Sequence, residues 1–194
     1  MCGTPRAGTN LLTGLLKSTR VAGAPEEYFW RDDMPAWSER WETTTFVDYL
    51  LGAIRAGTTA NGVFGAKLMW GYMADFLDRL DRLAGGHEGS DRSLVERFFP
   101  ASDFIWIRRD DMVAQAVSWA RAIQTGVWYD QVGRSSATPP EFDFDQIERL
   151  AREAADHNDA WQRWFAANEI TPLLVRYEDL VSDKVASPDG SSPS

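Results

Sequence analysis

Two glycines near the amino terminus have the spacing of a loop that binds phosphate-like anions. Gly3 and Gly8 are separated by four residues, and leucines at helical spacing follow within residues 11–16. A backbone bent at two such glycines can wrap an anion, and the amino end of the next helix adds N–H donors and a partial positive charge. Arg6 lies inside the loop, where its guanidinium can form charge-assisted hydrogen bonds to phosphoryl or sulfuryl oxygens. The alternative is an ordinary glycine-containing turn, which this segment alone does not exclude.

The residues after the second glycine differ from those of a kinase or ATPase loop. Those enzymes continue with a lysine and then a serine or threonine, which contact the phosphates and Mg²⁺. Thr9 and Asn10 occupy these positions here, which argues against Mg²⁺-dependent phosphoryl transfer. The chain has one cysteine and two histidines, too few for a zinc site of the usual kind. No metal is therefore expected.

The composition fits one globular domain that does not bind nucleic acid. The chain has 194 residues and a net charge of -9, whereas nucleic-acid phosphates select basic protein faces. No apolar run reaches the roughly 20 residues of a transmembrane segment, and no basic-then-apolar signal segment opens the chain. A single cysteine excludes disulfides within the chain and fits a reducing compartment. We therefore expect a cytoplasmic protein.

Short β-rich segments alternate with helical segments, and these elements must position the loop. The predicted strands are within residues 62–68, 103–107 and 171–175, and the predicted helices cover residues 43–56, 70–84, 110–124 and 143–168. Residues 31–42 are predicted to be a loop or a short helix. The alternation predicts an α/β sandwich with a parallel sheet. In such sheets ligands bind at the carboxyl ends of the strands, where both Gly8 and Arg109 are expected to lie.

Several segments resemble the bacterial trehalose 2-sulfotransferase family in the same order along the chain. Residues 5–12 resemble the Arg-Ser-Gly-Ser/Thr-Thr-Leu-Leu loop of sulfotransferases. The further similar segments are residues 21–29, 65–70, 109–128 and 175–180. The first loop is weakly specific alone, whereas the ordered set over residues 3–180 is specific.

The resemblance implies a fold and a donor. The fold is a P-loop-like α/β sandwich with a central, mostly parallel sheet flanked by helices, and the donor is 3'-phosphoadenosine 5'-phosphosulfate (PAPS). The residues implied to hold the 5'-phosphosulfate are Arg6, Ala7, Gly8, Thr9 and Asn10. Asn10 departs from the threonine or serine usual in the family. Arg109 and Ser118 are implied to hold the 3'-phosphate. The neighbouring Arg108 is an alternative ligand. The other interpretation of Arg109 is a surface ion pair with an adjacent aspartate.

The remaining predicted residues concern the acceptor and the chemistry. The resemblance implies that Glu27 is the general base, and Arg6 is grouped with it as catalytic because it can contact sulfuryl oxygens. Lys67 and Trp70 are predicted on the substrate side, since the lysine could stabilise negative charge and tryptophan rings stack on sugars. The alternatives are a solvated lysine, a tryptophan that only packs in the core, and exposed carboxylates at Glu26 and Glu27.

The predicted function is transfer of a sulfuryl group from PAPS to a hydroxyl of a small molecule or glycolipid, with a sugar such as trehalose as the expected class. Two alternatives stay open: a P-loop kinase-like phosphotransferase, and a truncated, inactive relative that binds a nucleotide. One domain is expected over residues 1–183, truncated at both ends, with a disordered tail at 184–194. A version extended upstream by a strand of about five to six residues is expected to be more stable. A homodimer is also left open.

Overall fold

The computed structural model describes residues 1–128 and 139–185. Its four strands are β1 (Cys2–Gly3), β2 (Leu68–Met69), β3 (Ile105–Arg108) and β4 (Leu173–Arg176). They form one sheet of order β2-β1-β3-β4, in which every neighbouring pair is parallel. The predicted α/β sandwich with a mostly parallel sheet is therefore confirmed. Because the strands are parallel, their carboxyl ends lie along one edge, where the loops after β1, β3 and β4 meet.

Eight helices and one 3₁₀ turn flank the sheet within the described residues. They are α1 (Thr9–Thr19), α2 (Met34–Trp41), α3 (Phe46–Gly57), the 3₁₀ turn Trp70–Tyr72, α4 (Met73–Ala84), α5 (Asp91–Phe98), α6 (Met112–Thr125), α7 (Phe144–Ala167) and α8 (Tyr177–Val185). Side-chain oxygens cap four of them: Thr45, Ser90, Asp111 and Asp143 each accept a hydrogen bond from an N–H in the first turn. By contrast, Gly8 precedes the first residue of α1 and offers no side-chain cap. None of the helices in the described part of the chain is long and apolar enough to cross a membrane.

Aromatic side chains of α7 fill the core beneath β1 and β3. Trp161 is fully buried, and its ring packs against Phe165, which in turn contacts Trp106 of β3. The indole N–H of Trp161 donates a 2.9 Å hydrogen bond to the main-chain oxygen of Gly3. This bond fixes the end of β1, so the core directly supports the start of the glycine loop.

One predicted strand is displaced. The strand expected within residues 62–68 forms only at Leu68–Met69, because the preceding segment turns back on itself. Gly62 has a left-handed backbone, with φ of 85°, and Phe64 makes an isolated antiparallel bridge to Thr58. The other predicted strands and helices are confirmed with shifted ends, and residues 31–42 contain the short helix α2.

Two helices were not predicted. Helix α5 has only eight residues, so its apolar periodicity is brief, although Ser90 before it is a good capping residue. Helix α8 begins immediately after β4, within a polar sequence that gives little apolar periodicity. The tail predicted at residues 184–194 lies outside the described residues, except for its first two, which end α8.

Candidate active site

The loop between β1 and α1 is a tight turn that depends on both glycines. Gly8 has φ of 92°, and a Cβ at this position would lie 2.5 Å from a ring carbon of Tyr177. A Cβ on Gly3 would lie 2.8 Å from the methyl group of Thr9, the buried first residue of α1. Arg6 also has a left-handed backbone, with φ of 64°. The glycines therefore permit close packing as well as the change in chain direction.

The amino end of α1 faces the interior of this loop. Its first intrahelical bond runs from the N–H of Leu12 to the oxygen of Gly8, at 3.0 Å. The main-chain N–H groups before Leu12 have no intrahelical acceptors, as at the start of any helix. They can therefore donate hydrogen bonds to an anion. Ala7 is fully buried, and its own N–H donates to the oxygen of Thr4. Ala7 thus contributes mainly to the shape of the loop.

Gln115 of α6 holds the loop between β1 and α1 through two hydrogen bonds. Its side-chain nitrogen donates to the hydroxyl of Thr4 at 2.7 Å and to the main-chain oxygen of Pro5 at 2.8 Å. The glutamine is fully buried. Sequence analysis gave it no role, although it belongs to a segment similar to the sulfotransferases. Its fixed amide holds the loop at a constant distance from α6.

Arg6 and Ser118 are in direct contact. The Nε of Arg6 donates a 2.9 Å hydrogen bond to the Ser118 hydroxyl, and its Nη1 donates to the main-chain oxygen of Trp128 at 2.6 Å. The resemblance implied that these two side chains hold different groups of the donor, the 5'-phosphosulfate and the 3'-phosphate. The structure therefore brings the predicted 5'-phosphosulfate and 3'-phosphate residues to one place.

A cavity of about 830 Å³ opens beside this contact. Arg6, Arg109 and Ser118 line it together with Arg121, which lies one helical turn after Ser118 and received no role from the sequence. Asp111 also lines the cavity, so the three arginines give it a local excess of positive charge in a chain whose net charge is -9. The alternative residue, Arg108, is not among the cavity's lining residues, and its guanidinium lies 5.5 Å from the ring centre of Trp106.

Arg109 packs on Tyr177, the first residue of α8. Its guanidinium carbon lies 4.4 Å from the centre of the Tyr177 ring, at a distance typical of cation–π contacts. The buried Nε of Arg109 has no hydrogen-bond partner among the described residues. The same tyrosine ring packs against Gly8. Tyr177, another residue without a predicted role, thus connects the glycine loop to Arg109.

Lys67, Glu27 and Asn10 form a second polar group beside the loop. Only 1% of the Lys67 side chain is exposed, so the solvated lysine considered from the sequence is wrong. Its Nζ lies 2.7 Å from Glu27 Oε1 and donates to Asn10 Oδ1 at 2.8 Å. The Tyr72 hydroxyl donates to the Lys67 main-chain oxygen at 2.9 Å. Burial and then the Glu27 charge raise the pKa of Tyr72 well above its usual value, so this donor stays protonated.

Glu26 and Glu27 point to different partners. The Glu26 carboxylate forms an ion pair with Lys17 of α1, whereas the Glu27 carboxylate contacts Lys67. The main-chain oxygen of Glu26 accepts a 2.9 Å hydrogen bond from the Lys67 N–H. Of the two glutamates, only Glu27 therefore directs its carboxylate toward Lys67, which also contacts Asn10 in the first turn of α1.

The tryptophans near the site are partly committed to packing. Trp70 packs edge-on against Trp161 at 5.1 Å, although it stays partly exposed. Trp37 and Trp41 stack on each other at 5.0 Å. Trp30 and Trp128 are the more open rings, each 38% exposed. A sugar could stack on an exposed ring, but none of these contacts indicates which tryptophan would bind it.

Comparisons with known proteins identify the family that this chain resembles over most of its length. A sequence model of the Stf0 sulphotransferase family matches residues 1–189. The trehalose 2-sulfotransferase of Mycobacterium tuberculosis is 28% identical in an alignment that covers 90% of this chain and 74% of that protein. The trehalose 2-sulfotransferase of Mycolicibacterium smegmatis is 29% identical in an alignment that covers 89% of this chain and 74% of that protein. Because the family match spans nearly the whole chain, the chain belongs to the Stf0 sulfotransferase family.

Proposed function

We propose that this protein transfers a sulfuryl group from PAPS to a hydroxyl group of a sugar. The family match supports sulfuryl transfer, and the names of the two relatives support a sugar acceptor. The observation that carries the PAPS assignment is the cavity shared by Arg6, Arg109 and Ser118 beside the glycine loop. It offers cationic and hydroxyl donors within one space large enough for a nucleotide.

The residues present fit a donor with phosphate groups at two positions. The glycine loop and the start of α1 are suited to the 5'-phosphosulfate, with Arg6, Gly8 and Thr9 around it. Ala7, which is buried, shapes this loop. Arg109 and Ser118 are suited to the 3'-phosphate, and the buried Nε of Arg109, unpartnered among the described residues, is a donor that such an anion would satisfy.

Glu27 is the proposed general base and Lys67 the proposed electrostatic partner. The carboxylate of Glu27 would take the proton of the acceptor hydroxyl while the oxygen of that hydroxyl forms a new bond to sulfur. The bond between sulfur and the 5'-phosphate oxygen breaks, which leaves adenosine 3',5'-bisphosphate (PAP). The buried ammonium of Lys67 and the guanidinium of Arg6 would stabilise the negative charge on the transferring group.

Trp70 is proposed to lie on the acceptor side, because it follows Lys67 closely in sequence and keeps part of its ring exposed. A sugar face could cover this surface. The two relatives are both named as trehalose 2-sulfotransferases, so trehalose is the first acceptor to test.

The proposal is tested with the full chain, sulfur-labelled PAPS and a panel of sugars that begins with trehalose. We expect a labelled sulfate ester and one PAP for each ester formed. Phosphorylated sugar formed from ATP and Mg²⁺, without any sulfated product from PAPS, would instead favour the kinase-like alternative. PAP binding without turnover of PAPS on any sugar would favour an inactive relative.

A further inference from the structure

We propose that Asn10 is a positioning residue that acts through Lys67 on the base, and not a ligand of the 5'-phosphate. The inference rests on the proposed function, because it concerns the roles of Lys67 and Glu27 in sulfuryl transfer. It concerns the position at which the chain departs from the threonine or serine usual in similar sulfotransferases.

Both ends of the Asn10 amide have partners. Its Oδ1 accepts a 2.8 Å hydrogen bond from Lys67 Nζ, and its Nδ2 donates to the main-chain oxygen of Trp128 at 3.3 Å. The reverse orientation would place an NH₂ donor against an ammonium and an oxygen against a carbonyl. Hydrogen-bond chemistry therefore fixes the amide in one orientation.

The hydrogen bond to Asn10 occupies one of the three N–H donors of the Lys67 ammonium. An ammonium has three N–H donors, and among the described residues Glu27 and Asn10 accept two of them. Lys67 is buried, so the remaining donor is held in a set direction. Asn10 is neutral, and it can fix the lysine without competing for its charge as a second carboxylate would.

The same amide connects this group to the donor side. The main-chain oxygen of Trp128 accepts from Asn10 and also from Arg6, at 2.6 Å. Glu27, Lys67, Asn10 and Arg6 are therefore linked in one continuous chain of polar contacts. Loss of the Asn10 amide would leave Glu27, already 2.7 Å from Nζ, as the one acceptor of the Lys67 ammonium among the described residues. The stronger ion pair would hinder proton removal by the Glu27 carboxylate.

The test is a double-mutant cycle with Asn10→Ala and Lys67→Met, assayed in the steady state with saturating labelled PAPS and sugar, together with calorimetry of PAP binding. Asn10→Ala is expected to lower kcat by at least about tenfold and to leave the Kd for PAP nearly unchanged. In the Lys67→Met background, Asn10→Ala should change the rate by no more than about twofold.

Asn61→Ala is the matched control, because the Asn61 amide bonds only to Val21 and Thr59 among the described residues. Its kcat should equal that of the unaltered protein. A rise of tenfold or more in the Kd for PAP on Asn10→Ala, with effects that multiply in the double variant, would make Asn10 a phosphate ligand and overturn the proposal. An Asn10→Ala protein with unaltered kcat would overturn it as well. If the unaltered protein forms no sulfate ester, the proposed function itself fails, and PAP calorimetry still shows whether Asn10 contributes to nucleotide binding.

Discussion

The carboxylate of Glu178 accepts hydrogen bonds of 3.1 and 3.2 Å from the main-chain N–H of Asp110. It also accepts from the N–H of Asp111, whose own carboxylate caps α6 at the N–H of Ala114. The start of α8 is thereby joined to the start of α6. Arg109 directly precedes these two aspartates, so Glu178 constrains the segment that presents the proposed 3'-phosphate ligand.

This contact predicts a pH-dependent contribution to stability. Partial burial acts to raise the pKa of Glu178, but the N–H groups of Glu178, Asp110 and Asp111 and the Arg109 charge outweigh it and lower the pKa below its usual value. A depressed carboxyl pKa stabilises the fold above the unfolded pKa of about 4.5, and this stabilisation is lost as the pH falls through the lower folded value. Glu178→Gln removes that contribution.

We therefore expect the melting temperature of Glu178→Gln to fall less between neutral pH and about pH 3 than that of the unaltered protein. Glu148→Gln is the control, since Glu148 forms an exposed ion pair with Arg152 and such pairs contribute little. Equal pH dependence of the melting temperature in all three proteins would contradict the prediction.

Arg109 is predicted to distinguish PAP from adenosine 5'-monophosphate. A charge-assisted contact is worth roughly 1.5–3 kcal/mol, so Arg109→Ala should weaken PAP binding by about one to two decades. Binding of the monophosphate, which lacks the 3'-phosphate, should change little. Calorimetry with both nucleotides measures the difference, and Ser118→Ala should act in the same direction.

Arg108→Ala is the matched control for this assignment, because its guanidinium packs on Trp106 and lies 3.7 Å from a carboxylate oxygen of Asp110. If Arg108→Ala lost more PAP affinity than Arg109→Ala, the register of the 3'-phosphate ligand would be wrong by one residue. Equal affinity of the unaltered protein for both nucleotides would reject a 3'-phosphate site altogether.

Gly8 is predicted to be required for its close contact as well as for its backbone angle. Gly8→Ala should lower the free energy of unfolding by about 1–3 kcal/mol, because the new methyl group would meet the Tyr177 ring at 2.5 Å. Gly85→Ala separates the two causes, since Gly85 also has a positive φ, of 77°, but a Cβ there would meet nothing within 4 Å. Chemical denaturation of both variants tests this. An equal loss of unfolding free energy in the two variants would show that the clash between the new methyl group and the Tyr177 ring adds no destabilisation.

The sequence predicted the layout of the site better than its contacts. Glycine spacing and strand alternation predicted the loop at the carboxyl end of a parallel sheet, and these are local properties. The burial of Lys67 was not predictable, because it follows from the packing of segments distant in sequence. The contact between Arg6 and Ser118 joins residues 112 positions apart and depends on the turn at Gly8. Helix α5 was missed because eight residues give too few repeats of the helical period.

Sulfuryl transfer is predicted to need no divalent metal ion. Thr9 and Asn10 replace the lysine and the metal-binding hydroxyl of kinase loops, and the Asn10 amide contacts Lys67 instead. Formation of the sulfate ester should therefore be unchanged after EDTA treatment. Activity that disappears with EDTA and returns with Mg²⁺, but not with monovalent salt at equal ionic strength, would contradict this prediction.

Glu27 is predicted to be the base, and its neighbour supplies an internal control. General base catalysis typically contributes about 10²–10⁴-fold, so Glu27→Gln should lower kcat by that range. Glutamine preserves the size of the side chain and still offers Lys67 an oxygen acceptor, so the Kd for PAP should change little. Glu26→Gln removes a carboxylate one residue away that pairs with Lys17 on the surface of α1, and it should leave kcat nearly unaltered. Steady-state rates and PAP calorimetry on the two variants make the comparison at equal formal charge. A Glu27→Gln protein with near-native kcat, or a Glu26→Gln protein with the larger loss, would assign proton removal to another group.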